Sequence, residues 1–356
     1  MTNRYEKLSE KMPREIDGML VWQPQNRRWI CGFTGSSGVA VIPREGQPVF
    51  VTDFRYMQQA QTQCEGFKVV EHGREFAGEL AGVIKELNIS KLGFEQDFVT
   101  VAQHQKMAEG LKDVAELVAQ EDMVLGLRSI KTAEEIELIA KAVEIADKAF
   151  DHILGYLRPG LTERQVALEL ERKMQDLGAS AASFEIIVAS GHRSSLPHGI
   201  ASEKVIQPGE FVKIDFGCVY QGYVSDTTRT VVLGKASEKQ REIYDLVLKA
   251  QLAALDGIKA GISGEAVDAL AREVITAGGY GENFGHGLGH GIGLAVHEMP
   301  RLAPKMEKVL EENNVVTVEP GIYLPEWGGV RIEDDVVVTS QGCRVLTGAP
   351  KELIEL

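Results

Sequence analysis

The sequence predicts an α/β N-terminal domain over residues 1–125, followed by an α+β domain over residues 128–356 that carries an internal duplication. Three observations lead there. A chain of 356 residues has room for about two domains with cores large enough to need no disulfide or structural zinc. Up to about residue 125, short apolar runs alternate with helical patterns, as in a sheet covered by helices. From Arg128 the texture changes, and one order of elements then occurs twice.

In the first domain, 19–22 (MLVW), 39–42 (VAVI) and 48–53 (PVFVTD) read as strands, and 74–87 and 101–111 as helices. Residues 29–38, WICGFTGSSG, form a glycine- and serine-rich turn that could cradle phosphate. They lack a P-loop lysine and the spacing of a dinucleotide fingerprint, which favours a plain turn. Residues 120–127 read as a linker.

In the second domain, Thr132-Ala-Glu-Glu135 is a capping box opening a helix over 133–156. Arg158-Pro-Gly160 breaks the chain, and Thr162-Glu-Arg-Gln165 caps a second helix to about 177. Strands are expected at 184–188, 211–216 and 223–233. Ser237-Glu-Lys-Gln240 then caps a helix to about 260, Gly261-Ile-Ser263 breaks it, and another helix runs to 276. Strands return at 315–318 and 330–338. Slid by 101 residues, Leu157, Gly160, Leu161, Thr162 and Val166 fall on Ile258, Gly261, Ile262, Ser263 and Val267. This is either a duplicated helix–helix–hairpin unit or a chance likeness of two amphipathic helix pairs. Two facing copies would leave a cleft between them, where ligands tend to bind.

Composition narrows the function. A net charge of −14 argues against nucleic acid or an anionic membrane as partner, because phosphate demands the opposite sign. It suits carboxylates that hold cations, and equally an acidic solvated surface. Cys31, Cys64, Cys218 and Cys343 are scattered without a CxxC, the pattern of reduced thiols in a cytoplasmic protein. The charged first 20 residues contain no apolar signal core, and no apolar run approaches the roughly 18 residues of a membrane span.

Residues 285–301, GHGLGHGIGLAVHEMPR, hold three of the eight histidines, His286, His290 and His297, with glycine at every second position from Gly285 to Gly293. That much glycine makes a helix expensive. An irregular strand or loop is expected, with backbone and side chains crowded close to a bound group.

Two pairs of acids complete the pattern. Asp215 and Asp226 flank a hairpin joined at Gln221-Gly222, a pair that suits a two-residue type I′ turn. An even-length turn puts both acids on one face, opposite or diagonal, where like charges repel. Glu319 and Glu333 occupy comparable positions in the second copy, with faces that parity does not fix. Four separate surface acids would need no explanation. Four buried together would each cost several kcal/mol, beyond what one domain tolerates. Two divalent cations would balance them, and oxygen ligands with one imidazole suit manganese, cobalt, iron or zinc.

At these residues the chain resembles the pita-bread metallopeptidases, and specifically their Xaa-Pro dipeptidase (prolidase) and aminopeptidase P branch. The likeness runs through 29–38, Thr52-Asp-Phe-Arg-Tyr56, Ser194-Ser-Leu-Pro-His198-Gly, Ile214-Asp-Phe-Gly217, Ser225-Asp-Thr-Thr-Arg229, His286-Gly-Leu-Gly-His290-Gly, Val296-His-Glu298, Val318-Glu-Pro-Gly-Ile-Tyr323 and Arg331-Ile-Glu-Asp334. It implies a creatinase/prolidase-like N-terminal domain and a pita-bread catalytic domain with a pseudo-twofold repeat. It implies two divalent metal ions (manganese, cobalt or zinc), with Asp226 and Glu333 bridging, Asp215 on one, and His290 with Glu319 on the other. Glu319 would also shuttle a proton, His198 and His297 would donate hydrogen bonds to the reacting carbonyl and the substrate, and His286 would line the proline pocket. Arg331 would orient bridging carboxylates. Arg301 resembles a position that meets the free carboxylate of a dipeptide, or is a solvated surface arginine. The implied substrates are short proline-containing peptides, and the implied assembly is a homodimer.

Within the family, the N-terminal domain argues against a methionine aminopeptidase and the complete ligand set against creatinase. Length and Arg301 favour a dipeptidase over aminopeptidase P. Non-catalytic relatives have lost metal ligands that this chain keeps.

Overall fold

In the computed structural model of this chain, which describes residues 4–356, side-chain caps set the helix starts. The first three residues of the expected N-terminal domain lie outside the described residues. Thr132, Thr162 and Ser237 each accept the backbone N–H three residues on, while Glu135, Gln165 and Gln240 reach back to the cap. The helices they open, Ala133–Tyr156, Glu163–Asp176 and Glu238–Gly257, begin where the cap chemistry places them.

The chain divides into one unit ending at Arg128 and another over Ser129–Leu356. The first is a mixed six-stranded sheet in the order Lys68–Glu71, Val49–Thr52, Val39–Pro43, Gly18–Val21, Lys91–Glu95, Glu116–Gln120. Helices Phe76–Glu86 and Val101–Leu111 seal one side with Leu80, Ile84, Met107 and Leu111 against Leu20, Val41, Val51 and Leu92. Strands KVVE, KLGFE and ELVAQ are too short and too charged at their ends for alternation to reveal them.

Residues 120–127 are not a linker. Gln120 ends a strand, and Met123–Arg128 is a helix whose Val124 is buried and whose Arg128 donates to Asn26 Oδ1 at 2.6 Å. Residues 29–38 begin as the end of helix Pro24–Cys31 and leave it through Gly32, in the left-handed region at φ 78°. The guanidinium of Arg27 then fills the turn, donating to the carbonyls of Gly35 and Gly38. That is a plain turn, with carbonyls facing a resident cation.

The second unit has two helix pairs, each with its own core. Phe150, Val166 and Leu170 pack with Val212, Ile214 and Phe216 in the first half. In the second half Val247, Val267 and Ala271 pack with Val316, Val318 and Val336. Glu163–Asp176 and Gly264–Ala277 coincide at both ends when slid by 101 residues, and Gly160 and Gly261 share φ values of 92° and 89°. Where the halves meet, Thr230 Oγ1 donates to Arg331 O at 3.0 Å and accepts from Arg331 N at 3.3 Å. These residues are themselves 101 apart, so equivalent positions touch each other, as a local twofold requires.

Strands Phe211–Phe216 and Val315–Val318 stand where expected. The expected strand at 184–188 is instead Ala181–Ala182 and Ile187–Ser190. Those at 223–233 and 330–338 each break once, at Ser225-Asp226 and at Ile332-Glu333. Gln221 and Gly222 both have positive φ, 46° and 87°, as a type I′ turn needs.

Candidate metal centre

His290 sits in the middle of a three-residue strand, Gly289–Gly291, pressed between Glu298–Leu302 and Val315–Val318. A Cβ on Gly289 would lie 2.0 Å from Thr317 O, and one on Gly291 2.3 Å from Met299 O. Glycine on both sides of the histidine is therefore a condition of the backbone's close approach. Ring nitrogen Nδ1 of His290 donates to Gly291 O at 3.2 Å, which leaves the lone pair on Nε2. Burial lowers the ring's pKa to about 3 and keeps it neutral. Nε2 faces Glu319 Oε1 at 3.3 Å and Asp226 Oδ2 at 3.6 Å. A lone pair aimed at two carboxylate oxygens needs a cation or a proton between them.

The acids do gather. Ligand atoms of Asp226, His290 and Glu333 all lie within 4.8 Å of one another. On the first hairpin Thr228 pairs with Asp215, which sets Asp226, two residues earlier, diagonal to Asp215. Burial first, then the charge of Glu333, pushes Asp226 well above the usual carboxylate range. Glu333 is raised as well, by burial and then by Glu319 and Asp215. Burial lifts Glu319 to about 7, against the opposing pull of Arg331. One oxygen of Asp215, Oδ1, is buried with no hydrogen-bond partner among the described residues. Crowded acids, an orphaned carboxylate oxygen and an imidazole offering its lone pair fit divalent cations. The reading of four separate surface acids does not survive this burial.

The tight group is Asp226, His290 and Glu333; Glu319 and Asp215 flank it. Arg331 binds them together: it donates to Asp215 through Nη2, to Thr228 Oγ1 at 2.9 Å and to Tyr323 Oη at 2.7 Å. Thr228 in turn donates to Glu333 Oε2 at 2.6 Å, and Thr317 Oγ1 lies 3.2 Å from Glu319 Oε1. Arginine has no acceptor, so the proton of Tyr323 goes to His286 Nε2, 2.9 Å away, while His286 Nδ1 donates to Gly287 O at 2.7 Å. Both ring nitrogens of His286 are occupied, and burial, then Arg331, lowers its pKa to about 4.

The remaining sequence candidates stand at the surface. His297 is exposed with its ring 4.4 Å from that of His290. His198 is exposed on the turn after helix Gly191–Ser195. Arg301 pairs with His290 in the ladder, is exposed, and its guanidinium meets no acceptor among the described residues.

Sequence reasoning assigned nothing to Lys213, Thr228, Thr317, Tyr323 and Asp335. Asp335 is buried, accepts Asp226 N at 3.0 Å through Oδ2, and leaves Oδ1 without a partner among the described residues. Strand parity was the available signal for Lys213: it shares a face with Asp215, while Val212, Ile214 and Phe216 enter the core.

Comparison with known proteins agrees with this geometry. Residues 137–340 match metallopeptidase family M24, and residues 4–130 match the creatinase/prolidase N-terminal domain. The chain is 50% identical to a solved Xaa-Pro dipeptidase from Bacillus anthracis, with a TM-score of 0.97 over 99% of both chains. It is 40% identical to the Xaa-Pro dipeptidase of Pyrococcus furiosus, over 99% of this chain and 100% of the relative. A solved X-Pro aminopeptidase from Thermotoga maritima is also 40% identical, with a TM-score of 0.91 over 98% of this chain and 99% of that one.

Proposed function

Because the chain belongs to metallopeptidase family M24, with a pita-bread catalytic domain and a creatinase/prolidase N-terminal domain, we propose that it hydrolyses Xaa-Pro bonds as a Xaa-Pro dipeptidase. The observation that carries this reading is the cluster of Asp226, His290 and Glu333 in a chain that matches dipeptidases end to end.

In this reading Asp215, Asp226, His290, Glu319 and Glu333 would hold two divalent cations, manganese, cobalt or zinc. Bound there, the cations supply Lewis-acid activation of a water and polarisation of the scissile carbonyl. Glu319 would take a proton from the attacking water and give it to the leaving nitrogen. His198 and His297, exposed at the mouth, donate hydrogen bonds to the carbonyl oxygen as it gains charge and to the substrate. His286 has no free polar atom, so it offers a ring face, which is what the apolar ring of proline requires. Arg331 fixes Asp215 and, through Thr228, Glu333. Arg301, with no acceptor of its own, receives the free carboxylate of a dipeptide. We extend the proposal to a cytoplasmic homodimer, a reading supported by four free thiols and by the family resemblance.

A second reading has a specific observation behind it: the Thermotoga aminopeptidase is as similar as the Pyrococcus dipeptidase. The two separate on substrate length. Protein reconstituted with manganese or cobalt is assayed on Ala-Pro and on Ala-Pro-Ala. Release of proline from Ala-Pro supports the dipeptidase; cleavage of the tripeptide alone makes the chain an aminopeptidase P. A protein that holds no metal after reconstitution and cleaves neither is a binding module.

A further inference from the structure

We propose that Lys213 is a positioning residue that sets the loop carrying His198, an inference that rests on the peptidase reading of this site. Lys213 lies in the Phe211–Phe216 strand and is 0% exposed. Its neighbours in that strand are apolar except for Asp215, and a buried ammonium is costly to maintain. An aliphatic residue would pack as well, so the amine needs a reason.

The reason lies in what Nζ touches. It donates to Leu196 O at 2.5 Å and to Pro197 O at 3.3 Å, the two peptide carbonyls immediately before His198. Arg331 Nη1 reaches Pro197 O as well, at 3.2 Å. At the start of the same loop, Gly329 N donates to Ser194 Oγ at 2.8 Å. The ring of His198 itself makes no hydrogen bond among the described residues, so its place is set by its backbone. Lys213 governs that backbone from beneath. Its ammonium also lies 5.1 Å from the centroid of the Tyr323 ring, whose hydroxyl engages His286. One side chain thus ties the His198 loop to the wall that faces proline.

A double-mutant cycle with His198 tests this, because a residue acting through His198 loses its effect when His198 is gone. Wild type, Lys213→Met, His198→Ala and the double variant are loaded with manganese and assayed on Ala-Pro, with bound metal and thermal unfolding measured alongside. Lys213→Met should lower kcat/KM on the order of 10- to 100-fold, as small displacements of a catalytic group do. Bound metal should stay at the wild-type level. In the His198→Ala background the same change should cost less than about twofold. Lys213→Gln, which keeps a donor, should recover part of the loss. Should Lys213→Met fail to fold, Lys213→Gln in the two backgrounds decides the matter in the same way. Equal losses in both backgrounds, or loss of metal, make the role structural and overturn the proposal. Wild-type protein that binds metal yet leaves both Ala-Pro and Ala-Pro-Ala intact sinks the peptidase reading, and this inference with it.

Discussion

The two halves of the catalytic domain share a framework and differ in what they hold. Their second helices repeat at 101 residues to the residue, with matching glycine breaks before them. The acids do not keep that spacing: Asp215 and Glu319 are 104 apart, Asp226 and Glu333 107. One full repeat before His290 stands Ala189, flanked by Val188 and Ser190 where the second half has Gly289 and Gly291. Helix packing constrains the scaffold symmetrically, whereas Asp226 and Glu333 stand in the breaks after strands Tyr223–Val224 and Gly328–Arg331, outside that register. The result is a symmetric frame around an asymmetric cluster, with His286, His290, His297 and Arg331 all drawn from the second half.

The sharpest break in that asymmetry is Glu319. Changing Glu319→Gln keeps the shape and removes the proton carrier, so kcat should fall by about 10²- to 10⁴-fold while the unfolding midpoint stays near wild type. Retained activity would show that the second half's glutamate does no more than its counterpart Asp215.

Metal removal should come next. In stripped protein Asp226 and Glu333 sit well above the carboxylate range and Glu319 near about 7, whereas unfolded carboxyls titrate near about 4. Between those values the folded state binds more protons than the unfolded one, so stability falls as pH rises through 7. His286 and His290, held down to about 4 and about 3, act in the opposite sense, but only below about 6.5, where unfolded histidine takes up its proton. From about pH 6.5 to 8 the Tm of stripped protein should therefore decline, and that of loaded protein should hold. A flat profile without metal would mean the acids do not crowd.

Gly289→Ala probes the divergence directly. Its Cβ would meet Thr317 O at 2.0 Å, so denaturant unfolding should show a loss of about 1–3 kcal/mol or more, with activity. At the equivalent strand in the first half, Ala189→Gly should cost only about 0.5–1 kcal/mol and leave the ligands in place. Similar costs would erase the distinction between the strands. A comparably small effect is expected where the halves agree: Thr162→Ala and Ser263→Ala should each cost about 1 kcal/mol.

What was legible in the sequence follows the same division. Capped helices and the 101-residue repeat are written locally, in Thr132-Ala-Glu-Glu135 and its counterparts, so their starts hold to the residue. The breaks at Ser225-Asp226 and Ile332-Glu333 were not legible, because β-branched residues resume beyond each one and only the folded chain brings Asp226 and Glu333 to His290. Parity placed Asp215 and Asp226 on one face but could say nothing of Glu319 and Glu333. Two partners of the acids come into reach only through folding, since Thr228 lies 105 residues from Glu333 and Asp335 109 residues from Asp226. The short Met123–Arg128 helix passed for a linker because six residues cannot display a helical period.

The central claim is that acids from both halves are reconciled by a shared pair of cations. Anomalous diffraction from crystals grown with manganese tests it most directly. Two peaks are expected, both in contact with Asp226 and Glu333, one also with Asp215 and the other with His290 and Glu319. Crystals saturated with manganese that show no peak between Asp226 and Glu333 would contradict it.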